Sequence, residues 1–239
     1  MTARELFQAG RLDEAIRALG AEVRDNPADA RRRTFLFELL CFAGEYDRAE
    51  KHLNMLSSGG SDAQMGAVLY FSALHAERVR SEKFSETELS TDGPAQDFAG
   101  TLNGEAFESI VDADPRIGAR LELFAAGAYL WIPFEHVVSI ETEAPTKLRD
   151  LLWLPALVRT GPDFQDRELG EVLIPVIYPF SHASPNDAVR LGRETHWQDV
   201  DGGEPIPVGQ KMFLVDGEEF PLLEIRKLEF TATAEVASA

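Results

Sequence analysis

One cysteine, Cys41, stands in a chain of 239 residues, so an internal disulfide and a thiolate metal cluster are both excluded. Its neighbours Leu40 and Phe42 mark it as a buried helix residue. Long apolar runs are missing as well. None approaches the roughly 20 residues of a membrane span, and Met1 to Gly10 has neither the basic start nor the apolar centre of a secretion signal. The expectation is a cytoplasmic protein with no membrane insertion. The pairings that carry chemistry are also absent. His52, His75, His136, His182 and His196 form no H-x-x-x-H pair, no Gly-x-Ser-x-Gly elbow occurs, and Gly59-Gly60 lacks the Lys-Ser/Thr of a phosphate loop. No enzyme, no cofactor and no metal is expected. One alternative stays open: an enzyme or small-molecule sensor whose pocket in the C-terminal part gathers distant residues such as His136, His182 and Glu171.

Positive charge is scarce, and its scarcity is local. The net charge is −18. Residues 1 to 80 hold 11 Lys plus Arg against 12 Asp plus Glu, while residues 81 to 239 hold 12 against 29, leaving −1 and −17. A field of that sign repels phosphate backbones and anionic lipid heads, which argues against nucleic-acid binding and membrane docking. It either attracts a basic partner or keeps the protein soluble. Arg31-Arg32-Arg33 is the one basic cluster.

What is present is a repeat. Gly10-Arg11-Leu12-Asp13-Glu14-Ala15 returns thirty-four residues later as Gly44-Glu45-Tyr46-Asp47-Arg48-Ala49. Leu6, Leu40 and Leu74 keep that interval, Leu19 answers Leu53, and Pro27 follows Ala15 by twelve residues. This is the period of a tetratricopeptide helix pair. Helices are predicted over 2–9, 12–25, 29–43, 46–57 and 62–81, with Asp29 and Asp62 as starts. In the third unit Arg78 and Lys83 replace Gly44 and Ala49, so the last helix reads as a half repeat that caps the stack.

A polar, turn-rich stretch from Ser85 to Pro94 marks a linker, and a helix is predicted near 104–113. Two-residue alternation then begins. Arg120 to Phe124 and Ala128 to Ile132, joined through Ala126-Gly127, read as a hairpin. Further strands are predicted at 136–141, 151–159, 171–178, 194–199, 210–215 and 220–230, the last two joined by Asp216-Gly217. Pro133, Pro155, Pro175 and Pro179 near the strand ends suggest a strongly curled sheet. The fold class is therefore multidomain, α plus α+β. A tetratricopeptide-like helical domain (1–84) leads through a linker or loop (85–104) to an α+β domain with a small, barrel-like antiparallel sheet (105–230) and a frayed tail (231–239).

Several phrases are longer than any repeat cue. They are Trp131-Ile132-Pro133-Phe134-Glu135-His136-Val137, Leu148-Arg149-Asp150-Leu151-Leu152-Trp153-Leu154-Pro155-Ala156, Gly170 to Pro179, Leu191-Gly192-Arg193-Glu194-Thr195-His196-Trp197, and Glu224-Ile225-Arg226. In these the chain resembles the ImpE/SciE-type accessory proteins of bacterial type VI secretion systems, over roughly residues 5 to 230. His196 stands where the resemblance places an acidic residue. The resemblance implies a non-catalytic adaptor in the bacterial cytoplasm. Its implied partners are the N-terminal helix of the small contractile-sheath subunit and the AAA+ ATPase that disassembles the sheath. A scaffold for another virulence complex is a further alternative.

Stacked helix pairs curve, and their first helices line a concave face on which an amphipathic helix can lay its apolar stripe. Counting back from Ala15, Ala49 and the equivalent third place puts Arg4 and Phe7, then Arg31, Thr34 and Glu38, then Met65, Val68 and Ser72 on that face. The same spacing fits core residues and a solvated flank. Arg31 has the best placed charge to hold an acidic segment. Further on, a short helix over Thr146 to Leu152 would let an Arg149/Asp150 pair fasten it to the sheet while Trp153 enters the core. Trp131, Pro133, Phe134, Trp153 and Trp197 are either core or part of an exposed aromatic interface.

Overall fold

The computed structural model describes residues 1–85, 98–162, 164, 169–200 and 204–231. Five helices open it: α1 (Ala3–Gln8), α2 (Leu12–Asp25), α3 (Ala30–Phe42), α4 (Tyr46–Ser57) and α5 (Ser61–Ser85). Local chemistry sets their ends. Thr2 and Glu5 form a capping box on α1, and Asp29 accepts the Arg32 N–H at 3.0 Å on α3. The repeated glycines explain themselves. Gly10 (φ +73°) and Gly44 (φ +69°) both lie in the left-handed region two residues past the last residue of a helix. The amides that follow them close the same stop: Arg11 N–H to Leu6 O and Glu45 N–H to Leu40 O, each 2.9 Å.

The leucines and alanines of the repeat face inward. Leu6, Leu40 and Leu74 are buried, as are Ala15 with Ala49 and Leu19 with Leu53. Each buried leucine contributes roughly 2 kcal/mol of transfer free energy, and the alanines let neighbouring helices approach.

The rest of the chain is mainly strand. β1 (Gly100–Leu102), β2 (Glu105–Phe107), β3 (Ile110–Asp112), β4 (Arg120–Ala125), β5 (Ala128–Pro133), β6 (Val137–Thr142), β7 (Trp153–Thr160) and β8 (Gly170–Pro175) come first. A four-residue helix α6 (Asp187–Arg190) follows, then β9 (Thr195–Gln198), β10 (Ile206–Gly209), β11 (Met212–Val215), β12 (Glu218–Pro221) and β13 (Lys227–Phe230). Eight of these strands form one antiparallel sheet in the order β2-β1-β13-β6-β7-β8-β4-β5. A three-stranded sheet, β12-β11-β3, and the hairpin β10-β9 complete it.

The barrel-like closure expected from the prolines is not formed, since the large sheet ends at β2 on one side and β5 on the other. One face packs on the smaller sheet and part of the other on the helices, leaving Leu157 of that second face exposed, and β4 shows both packings. Leu121 and Leu123 point into a core shared with Ile110 and Phe213 of the three-stranded sheet, whereas Phe124 joins the core of the helices. Trp153 and Leu173 enter that helical core too.

Three further expectations are corrected. Residues 104–113 make two strands, β2 and β3, because their backbones find partners in β1 and β11 and tertiary pairing outweighs local preference. The segment 220–230 is not one strand; a turn of 3-10 helix at Leu222–Glu224 after Pro221 divides β12 from β13. The short helix before Trp153 is likewise a 3-10 turn, Leu148–Leu151. Of the expected linker, residues 86–97 lie outside the described residues, and of the tail, residues 232–239. Phe98, just beyond the former, packs edge-on against Phe134 and Phe230. No described helix is long and apolar enough to cross a membrane.

Candidate functional site

Arg4, Phe7, Arg31, Thr34 and Glu38 line one groove of about 520 Å³ between α1 and α3, together with Gln8 and Phe35. Its remaining wall comes from the other half of the chain, as Thr146 and Leu148. Phe7 and Phe35 meet edge to face with ring centroids 5.6 Å apart. The guanidinium of Arg4 lies 5.8 Å from the Phe35 ring and that of Arg193 lies 5.1 Å from the Phe7 ring. Arg193 also donates to the carbonyls of Phe7 (2.8 Å) and Gln8 (3.2 Å), the last turn of α1. A cation there complements the negative end of the helix, and it holds a groove residue in place.

Glu38 is 7% exposed. Burial raises its carboxyl to about 7, with Arg149 opposing the rise and Asp150 adding to it. Arg149 Nε is 3.5 Å from Glu38 Oε1, and the guanidinium lies 4.8 Å from the Tyr70 ring. The expected Arg149/Asp150 fastening therefore has a different form. Arg149 reaches across to Glu38 on α3, while the Asp150 carboxylate accepts the backbone N–H groups of Thr146 (2.9 Å) and Lys147 (2.8 Å).

Met65, Val68 and Ser72 do not line the groove. Met65 is 75% and Val68 60% exposed on α5, and Ser72 is half-buried beside Gly127 in the β4–β5 turn. The aromatic positions do not form one patch either. Trp153 is buried between Tyr70 and the Glu77 carboxylate, which accepts its indole N–H at 2.9 Å. Phe134 is buried against Phe213 and Phe230. Trp131 is half-buried beside Pro133, with Lys83 Nζ 3.7 Å from its ring centroid. Trp197 alone of these is exposed, at 41%, and donates to Glu219.

Behind the groove the two halves are joined by buried charges that no sequence pattern announced. Arg80 on α5 donates to Glu122 on β4 through Nε (2.6 Å) and Nη2 (3.0 Å), and pairs with Glu77 at 3.3 Å. Lys211 Nζ lies 2.9 Å from Glu122 and 2.6 Å from Asp112. Burial works against the Glu122 carboxylate, but Arg80 and Lys211 outweigh it and hold the group down at about 2. At Asp112 burial wins over Lys211 and lifts the carboxyl to about 6. In sequence Glu122 alternates with Leu121 and Leu123 and follows Arg120 by two, the pattern of an ordinary solvent-facing strand position, so nothing marks it as buried.

The residues of the alternative catalytic site are apart. Glu171 lines a shallow depression on the large sheet with Glu141, Lys147 and Lys227, and with no histidine. His182 packs against the Gly44 turn, and His136 stacks near Phe164. Among the described residues no group of three or more His, Cys, Asp or Glu could hold a metal ion.

Comparison with known proteins gives four findings. Residues 104–229 match the family model described as ImpE protein, and residues 6–69 match a tetratricopeptide repeat model. A Pseudomonas aeruginosa protein named type VI secretion system accessory component TagJ is 33% identical over 270 aligned positions, covering 98% of this chain and 92% of that one. The crystal structure of a Vibrio parahaemolyticus protein superposes with a TM-score of 0.84 at 23% identity, covering 97% of this chain and 98% of that one. This last likeness speaks for the fold alone.

Proposed function

The chain belongs to the ImpE protein family, and from that premise we propose that it works by capture, without chemistry, as an accessory adaptor of a type VI secretion system. The observation that carries the reading is the open groove between α1 and α3, with Phe7, Phe35 and Leu148 as its apolar lining and Arg4, Arg31 and Glu38 around them. A volume of about 520 Å³ takes a row of side chains and not a whole helix, so an amphipathic helix would lie across the opening with one face inserted. The guest we assign is the N-terminal helix of the small contractile-sheath subunit, and the second partner is the sheath-disassembling AAA+ ATPase. The name of the Pseudomonas relative supports the secretion context. The same groove with a different guest would make the protein a scaffold for another complex.

Calorimetry of the full-length protein with a synthetic peptide of that sheath helix tests the assignment. Wild type is expected to bind, and Phe7→Ala and Arg31→Glu to bind more weakly. Equal, weak binding by all three removes the groove from consideration. Pull-down of the ATPase with and without the sheath peptide tests the second partner.

A further inference from the structure

The groove is cationic in a protein that is not. The chain as a whole carries −18, yet the charged side chains lining the groove are Arg4, Arg31 and Glu38. Glu38 is matched from behind by Arg149 at 3.5 Å. Arg4 and Arg31 are exposed, and neither forms an ion pair within 4.0 Å among the described residues, although the charge of Arg31 reaches Asp29 and helps to lower its carboxyl. Their neighbours in sequence are already committed. Arg32 pairs with Asp29 and Glu22, and Arg33 is buried on the Pro27 carbonyl. Arg193 adds a further positive charge beside Phe7 while its donors hold the end of α1. What remains for a visitor is an apolar strip with two exposed guanidinium groups in its lining.

We infer that the segment captured here is an amphipathic helix with acidic side chains beside its apolar stripe, which Arg4 and Arg31 select. This rests on the reading that the groove takes a helical guest, and it deepens that reading by fixing the guest's chemistry. Guanidinium groups suit carboxylates because their donors form a planar fork that meets both oxygens. Complementary charge at a rim acts on encounter and on partner choice more than on bulk affinity. A basic helix of equal hydrophobicity would meet like charges there and bind more weakly. Exposed pairs are weak, so each arginine is expected to change affinity by about two- to five-fold, and added salt reduces the effect.

The test uses the full-length protein, immobilised, and a displayed library of helical peptides with a fixed apolar stripe and flanking positions varied among Glu, Gln and Lys. Selection on wild type is expected to enrich Glu over Gln and Lys. Arg4→Gln/Arg31→Gln should abolish that enrichment, Arg4→Glu/Arg31→Glu should turn it towards Lys, and Phe7→Ala should lower retention of every peptide. Thermal melts of the variants show that they fold. Absence of charge preference, a preference for Lys on wild type, the same Glu preference on all variants, or retention of no peptide overturns the inference. If Glu-bearing peptides bind but the sheath peptide does not, the sheath assignment fails while the inference stands. If the sheath peptide binds and its carboxylates can be replaced by amides without loss, the outcome is the reverse.

Discussion

Asp187 accepts the backbone N–H of Leu12 through Oδ2 at 2.9 Å. The first turn of α2 is thereby capped by a residue 175 positions away, while its own N-cap, Arg11, offers no side-chain bond. Arg190, which pairs with Asp187 and with Asp13 at 2.8 Å each, fixes the geometry. Together with Arg193 on the end of α1, this makes the α6 segment a clamp on both helices of the first repeat.

Asp187→Ala is expected to lower stability by about 1–2 kcal/mol, the usual worth of an N-cap, and to loosen α2 from its N-terminal end. Urea unfolding gives the first quantity, and amide exchange at residues 12–15 the second. Unchanged exchange there would contradict the assigned role.

Glu122→Gln leaves Arg80 and Lys211 buried with one carboxylate fewer. Breaking a buried ion pair in this way is expected to cost roughly 3–5 kcal/mol. Adding Arg80→Met should cost less than the two changes taken separately, because the second removes the charge that the first left unpaired. Additive losses in a double-mutant cycle would show that the pair is not coupled.

Stability should fall with rising pH through Glu38. Its carboxyl ionises at about 7 in the fold against 4.5 for the free group, so its protonated form is the one the fold favours. The associated stability is present below about 4.5 and lost as pH rises through about 7. The groups facing it are Arg149 and Asp150. Relative to Glu38→Gln, wild type should lose on the order of 2–3 kcal/mol across that window. Parallel pH profiles for the two proteins would sink the prediction.

Gly44→Ala meets two obstacles at once. The position has φ +69°, and a Cβ there would fall 2.6 Å from the His182 ring. A loss of about 2 kcal/mol or more is expected, of which His182→Ala in the same chain should restore the steric part and leave about 1 kcal/mol of backbone strain. Differential scanning calorimetry of Gly44→Ala, His182→Ala and the double variant checks both parts. Full restoration by His182→Ala would mean that the backbone conformation costs nothing.

Elements whose signal is local are legible in the sequence. The thirty-four-residue interval placed the helices because glycine stops, inward leucines and small alanines recur inside each unit. The hairpins at Ala126-Gly127 and Asp216-Gly217 were visible for the same reason, since their turns require left-handed backbone and observed φ values at all four residues are positive. Elements whose partners come from afar are not legible there. β1 and β10 carried no pattern of their own and exist through pairing with β13 and β9. Residues 104–113 read as helical in isolation and are strands because β1 and β11 pair with them.

For the groove, sequence alone determined which positions of α1 and α3 share a face, because helical period fixes that without reference to anything else. It did not determine that the α5 positions Met65, Val68 and Ser72 lie elsewhere, that Thr146 and Leu148 close the wall, or that Arg149 reaches Glu38. Those depend on how the sheet docks on the helices, through Arg80 and Glu122, Asp187 and Leu12, Arg193 and the end of α1. Such contacts join residues with no fixed spacing between them, so only the folded chain could decide them.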